Sequence, residues 1–200
     1  MRIVRRALAA LKRAWTGLRY RRIRRRFHGV RKLNLGCGGA RFEGYFNVDI
    51  VPTVATDFVA DIGDPYWLES DHFEEIRLDA VFEHLYRWQQ KDFLAHVHRA
   101  LQPGGRLVIN WLPDFDVLIE AYRDKKPGIV GSTFDLFEVY RFSHGDPQPH
   151  NSPQQLHKDL FTRDSILALL QEVGFEKIEV AHAAYKDETV ALNMNVVAVK

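Results

Sequence analysis

LNLGCGGARFEGYFNVDI, residues 33–50, sets a glycine cluster between two short apolar runs, the second of which reaches a carboxylate one residue before the end. The run 33–35 reads as a strand leading into Gly36, Gly38 and Gly39, where missing side chains let backbone amides approach a ligand closely. A second apolar strand follows and stops at Asp49, next to Ile50. In an open α/β sheet, a carboxylate at such a strand end faces the same crevice as the glycine turn and can hydrogen-bond a ribose. Taken alone, the stretch reads equally as a nucleotide site or as a plain tight turn.

The chain on either side of it alternates. Residues 58–62 form a short apolar strand with Asp61 at its end, although Gly63, Asp64 and Pro65 also allow Asp61 to be a turn residue. A strand is expected around Ile76, then a helix over 82–101 that Pro103, Gly104 and Gly105 terminate, then a strand over 106–112. A further helix over 163–173 stops at Gly174, and two strands, 178–181 and 194–199, close the pattern as an antiparallel pair. Such alternation predicts an α/β domain with a mostly parallel sheet. Only 13 positions separate Gly36 from Asp49, so the first helix is expected to be a single turn near 41–44. That spacing argues against a dehydrogenase, whose fingerprint needs a third glycine opening a full helix.

The 200 residues carry a net charge of +2 that hides an asymmetry. Of 28 Lys and Arg, 13 fall within residues 1–32, which hold no acid; the remaining 15 stand against 26 Asp and Glu. The division expected is a basic arm over 1–31 and an acidic domain over 32–200. In the arm, Val4, Leu8, Leu11, Trp15 and Leu18 share one helical stripe, with Arg5, Arg6, Lys12 and Arg13 off it. It is too short of apolar residues to span a bilayer, and Lys12 and Arg13 interrupt any secretory core. An anionic membrane surface reached through residues 1–28, RNA phosphates, an organellar presequence and packing on the acidic domain all compete. The membrane ranks first, because phosphate binding alone would not need Trp15 and the leucines. Cys37, the one cysteine, suggests a reducing compartment, hence a cytoplasmic protein peripheral to the inner membrane face.

Over residues 32–200 the ordered motifs resemble the class I S-adenosylmethionine-dependent methyltransferases. LNLGCGG is similar to the family's first motif, FNVDI to its acidic strand end, and ADI to the segment touching adenine. FEEIRLDAVFEHL is similar to its fourth strand, LQPGGRLVINWLPD to its Pro-Gly-Gly turn and fifth strand, and LFTRDSILALLQEVGF to its late helix. The nearest likeness is to small bacterial methyltransferases associated with polysaccharide or glycolipid biosynthesis. The resemblance implies a Rossmann-like seven-stranded sheet with its last strand antiparallel, and S-adenosylmethionine as cofactor. It places Gly36, Gly38 and Gly39 along the methionine moiety, Asp49 and Ile50 at the ribose, Asp61 and the Ile62 amide at the adenine, and Asp79 at the methyl end. Asn34 stands where the family carries an acid, so a charged contact becomes a neutral one that still hydrogen-bonds.

The implied reaction is direct displacement, in which the protein positions both partners and excludes water. A hydroxyl acceptor needs a base, and Asp79, His84, His144 and His157 are the candidates. Residues 113–160 follow the fifth strand and are expected to cover the acceptor, with Phe115, Tyr122, Phe134, Phe137, Tyr140 and Phe142 available to stack on a ring or to form the lid's own core. His144, His150 and His157 match neither a helical pair nor a compact zinc site, so no metal is expected. The expected acceptor is a small or lipid-linked molecule such as a saccharide. The alternatives are an RNA-binding or RNA-methylating protein, against which no Asn-Pro-Pro-Tyr-like motif follows the fourth strand, and a catalytically silent scaffold.

Overall fold

The computed structural model describes residues 2–145, 153–186 and 188–200. His150 therefore lies outside the described residues, as does the side chain of Val4. Seven strands form one sheet: β1 (Lys32–Leu35), β2 (Tyr45–Asp49), β3 (Phe58–Val59), β4 (Phe73–Asp79), β5 (Leu101–Pro113), β6 (Glu176–Ala183) and β7 (Asn193–Val199). Their order is β3-β2-β1-β4-β5-β7-β6, and β7 alone runs antiparallel to its neighbours. The expected fold class, a seven-stranded mostly parallel sheet with an antiparallel last strand, is the one observed.

The helices are α1 (Arg2–Arg24), α2 (Arg87–Ala100), α3 (Phe115–Arg123), α4 (Leu136–His144) and α5 (Arg163–Val173). The helix expected over 82–101 is broken. A 3-10 turn spans Phe82–His84, Leu85 and Tyr86 are extended, and α2 starts at Arg87 with Tyr86 and Gln89 making a reciprocal cap. No helix forms near 41–44 either: residues 36–44 contain only turns, because so short a link between parallel neighbours leaves no room for one. The Pro103–Gly105 turn lies inside β5, at an irregularity in its pairing with β4.

Period-two alternation assigns the two faces of the sheet. Leu33, Phe46, Ile76 and Leu107 line one face in register, followed by Leu35, Val48, Leu78 and Ile109. All are fully buried, in one cluster with Tyr20 of α1, Phe93 and Val97 of α2, and Ile166 and Leu170 of α5. The three long helices thus bury into the same face. The opposite face is polar, with Tyr45, Lys32, Glu75 and Arg106 paired across four strands. There Arg106 Nε donates to Glu75 at 2.7 Å, and the Tyr45 hydroxyl donates to the same carboxylate. Where a doubly wound fold would carry a helix, Phe42 covers the Arg77 guanidinium at 4.7 Å. α3 and α4 form a separate small cluster around Leu118, Ala121, Phe134 and Leu192.

α1 docks on the core, but not through the stripe that the apolar pattern picks out. Arg13, Tyr20 and Arg24, at spacings of seven and four, make its contacts with the domain. Arg13 holds Asp64 at 2.7 Å, and its carbonyl accepts from the Tyr66 hydroxyl at 2.6 Å. Tyr20 is buried against Phe46, Phe58 and Trp67, and its hydroxyl donates to Glu69. Arg24 is buried between the rings of Phe46 and Phe73, bonded to Val30 O at 2.6 Å and to His72. The end of the basic arm is therefore part of the core.

Burial, followed by the Arg24 and Arg31 charges, holds His72 below its ordinary value of 6.5, with Glu69 opposing. In the unfolded chain His72 takes up its proton first, so its contribution to stability is whole above about 6.5 and is lost as the pH falls through the depressed value. Thermal melts across that range should show the melting temperature falling with acid, and His72→Gln should reduce the fall. An unchanged acid dependence in the variant would remove His72 from the account.

Candidate functional site

A cavity of about 500 Å3 opens at the carboxyl ends of β1, β2, β3 and β4. Such a position, outside the strand ends of an open sheet, is where α/β folds bind ligands. Gly36, Gly38, Asp49, Ile50, Asp61, Ile62, Asp79 and His84 line it among others, so most of the residues singled out in the sequence come together here.

The glycine turn is built by backbone bonds to β2. Gly36 N and Cys37 N both donate to Val48 O, at 2.8 and 3.1 Å. Gly36 has φ +76°, and a Cβ there would stand 2.5 Å from Val81 Cγ2, so both conformation and close packing require glycine. A Cβ on Gly38 would meet nothing within 4 Å: the chain there faces open space. Asp49 holds the turn in place, accepting from Gly38 N at 2.7 Å through Oδ2 and from Val51 N at 2.8 Å through Oδ1. Cys37 is buried, which raises its pKa, and its sulfur lies 3.7 Å from the Thr56 hydroxyl. It is a packing thiol, not a nucleophile.

Asn34 points elsewhere. Its amide donates to Asn47 Oδ1 at 3.1 Å, and Asn47 in turn accepts from Phe42 N at 3.1 Å and donates to Tyr45 O at 3.0 Å. Asn34 thus supports the 36–44 link from beneath and does not reach the cavity lining; Gly39 is likewise outside it. Asp61 receives Gly63 N at 2.9 Å, a local turn bond, and still lines the cavity.

Asp79 is held at both oxygens by Arg77 Nε, at 2.9 Å, and at one by Asn110 at 2.7 Å. A carboxylate fixed by a guanidinium and an amide is better suited to orienting a ligand than to removing a proton. Of the three candidate histidines, only His84 lines the cavity. Its Nδ1 faces Leu156 O at 3.1 Å, and burial lowers its pKa against the favourable pull of that carbonyl. His157 packs edge-on against it, ring centroids 5.1 Å apart, with Nδ1 at 2.6 Å from Phe142 O. His144 lies at the end of α4, exposed, stacked on Tyr140 and beside the Ser143 hydroxyl at 2.8 Å. Its ring does not line the cavity.

Gln154, Gln155 and Lys158 also line the cavity, from the far end of the expected lid, with Tyr86 and Gln89 from the start of α2. Burial lowers the Lys158 pKa, and its backbone N donates to Glu83 O at 2.8 Å. No spacing in the sequence marks Lys158 or the two glutamines. Tyr86 and Trp88 stack on each other at 6.1 Å while exposed, a visible signal in LYRWQQ.

No protein-family model and no curated protein sequence matches the chain. Solved structures do. An S-adenosylmethionine-dependent methyltransferase from Mesorhizobium loti aligns with a TM-score of 0.56 at 18% identity, over 86% of this chain and 91% of that one. One from Archaeoglobus fulgidus gives 0.55 at 17%, over 94% of both chains. The chain has the class I methyltransferase fold. A third methyltransferase of this fold, the Burkholderia thailandensis 1,6-didemethyltoxoflavin-N1-methyltransferase with S-adenosylhomocysteine bound, gives 0.53 at 16%, over 84% of this chain and 70% of that one. Within the methyltransferase fold the cavity sits where strand order places it, at the ends of the parallel strands.

Gly36→Ala should be destabilising by about 2 kcal/mol or more, since a left-handed alanine adds to an overlap with Val81. Urea unfolding of the variant checks it. Gly38→Ala should cost less, because only its conformation is strained.

Proposed function

We propose that the chain transfers the methyl group of S-adenosylmethionine to a small acceptor bound beside residues 113–160. The observation that carries this reading is the order of groups along one cavity: an open glycine turn, then Asp49, then Asp61 and Ile62, with Asp79 and His84 on the remaining side. The residues fit that cofactor. Gly38 leaves room for it, Asp49 stands at a strand end where ribose hydroxyls can reach its remaining lone pairs, and about 500 Å3 is in the range of cofactor pockets. Bound there, S-adenosylmethionine would supply an electrophilic sulfonium methyl.

The chain's own groups do the rest. Gly36, Gly38 and the Asp49 carboxylate bind; Asp61 and Ile62 flank the adenine end; Asp79, locked by Arg77 and Asn110, orients. Together they would hold an acceptor's nucleophile in line with that methyl, whose C–S bonding pair would stay with the sulfur. The neighbouring structures include enzymes for a toxoflavin precursor and for phosphoethanolamine, so this fold serves unlike small molecules. A lipid-linked or saccharide acceptor is the one the arm favours.

Titration calorimetry with S-adenosylhomocysteine tests the cofactor assignment. Asp49→Ala removes the acceptor that latches Gly38 and should weaken binding about tenfold or more, as hydrogen bonds to charged groups contribute about 1.5–3 kcal/mol. Absence of binding to the unaltered chain would overturn the reading.

The arm supports placement at a membrane. Leu8, Leu11, Trp15 and Leu18 are 60–67% exposed on the outward side of α1, flanked by exposed Lys12, Arg19 and Arg22. An apolar stripe with a basic border suits an anionic bilayer surface. No helix among the described residues is long and apolar enough to cross a membrane. Flotation with vesicles rich in anionic lipid should carry the protein up, and Leu11→Glu with Trp15→Glu should abolish it without touching the inward face. Equal flotation of the variant would sink the membrane reading. Removing residues 1–28 would also take Tyr20 and Arg24 out of the core.

A further inference from the structure

At the acceptor end of the cavity the 3-10 turn Phe82–His84 carries a carboxylate that the methyl-transfer reading does not use. Glu83 is 3% exposed, and its Oε2 has no hydrogen-bond partner among the described residues. An unpaired buried carboxylate is costly, so such a group takes up a proton or a cation. Among the described residues no guanidinium or ammonium pairs with it.

Two imidazoles face the same point. His84 Nδ1 lies 3.1 Å from Leu156 O and His157 Nδ1 lies 2.6 Å from Phe142 O. A carbonyl can only accept, so a neutral ring that donates from Nδ1 keeps its lone pair on Nε2; the Ala80 carbonyl also lies near the His84 ring. His84 Nε2 stands 3.9 Å from Glu83 Oε1, and one ligand atom from each of the three residues lies within 4.8 Å of the others. Backbone carbonyls that fix the distal nitrogen are the usual support of metal-bound histidine.

We propose that Glu83, His84 and His157 form a binding site for one divalent transition-metal ion of the zinc type. Two histidines and a carboxylate, with a fourth position open to the cavity that His84 lines, is the ligand set of catalytic zinc sites. Ligand atoms around such an ion stand about 3.4 Å apart, so closing the site takes side-chain rotations of roughly an ångström. The ion supplies the missing counter-charge of Glu83. Resting on the methyl-transfer reading, its role there is to hold the acceptor's oxygen at the open position and favour its deprotonated form, a task for which Asp79 is poorly placed.

The test is titration of tag-free, chelator-treated full-length protein with Co2+ alone, read by visible absorption. One equivalent should bind with the bands of a low-symmetry, four- or five-coordinate site. Glu83→Gln and His157→Ala should each weaken binding at least tenfold, and His144→Ala should not change it. Glu83→Gln keeps the shape of the protonated side chain, so its fold is expected to persist; His157→Ala gives an independent reading if it does not. Failure to bind a stoichiometric ion, or binding that survives both substitutions, overturns the site. Co2+ binding without any S-adenosylhomocysteine binding would instead keep the metal site and remove the methyl-transfer reading.

Discussion

The Asp49 carboxylate closes a very short loop. Parallel neighbours such as β1 and β2 ordinarily require a long crossover, and here residues 36–44 make the return with turns alone. Such a link has no helix to anchor it, so its shape is fixed at both ends by side chains: Asp49 on Gly38 N at 2.7 Å, and Asn47 on Phe42 N at 3.1 Å. Everything along the cavity inherits its position from that closure. Gly36 meets Val81 because the turn is drawn down onto β2, and Val81 in turn leads into the segment that carries Glu83 and His84.

The same shortness decides what covers the sheet. Without room for helices after β1 or β2, one face is left to its own side chains, and the sequence places there Lys32, Tyr45, Glu75 and Arg106, which pair with one another, and Arg77, which pairs with Asp79 beneath Phe42. Glu75 shows the balance. Burial raises its pKa, but bonds from Tyr45 and Arg106 outweigh this and hold it below its ordinary value. The other face takes α1, α2 and α5 together, and α1 fills the space beside β2 and β3 with Tyr20.

Legibility followed locality. Gly36, Asp49, Asp61 and Asp79 are readable because each stands at a strand end or within two residues past one, and strand ends in a parallel sheet share a crevice. Asn34 is equally visible but turns to Asn47, since period-two alternation puts it on the face opposite Leu33 and Leu35. His157 pairs with His84 across a long stretch of chain, and Lys158 reaches the cavity from beside it, so no spacing announces either. The sequence reading weighed the three histidines of residues 144–157 only with each other; the fold brings one of them, His157, beside Glu83 and His84. On α1 the apolar pattern identified a real exposed stripe but not the face that docks, because burial of Tyr20 and Arg24 depends on rings and acids that arrive later in the chain.

The polar sheet face gives the chain an evolutionary asymmetry of parity. Along β1 the odd-numbered positions tolerate only apolar residues of fixed size, whereas the even-numbered ones answer to charge balance with β2 and β4. Drift on that second face is coupled: a change at Glu75 strands both Tyr45 and Arg106, so the three positions are expected to vary as a set. Homologous chains with a helix between β1 and β2 should show the mark of it there, with this ladder replaced by aliphatic residues.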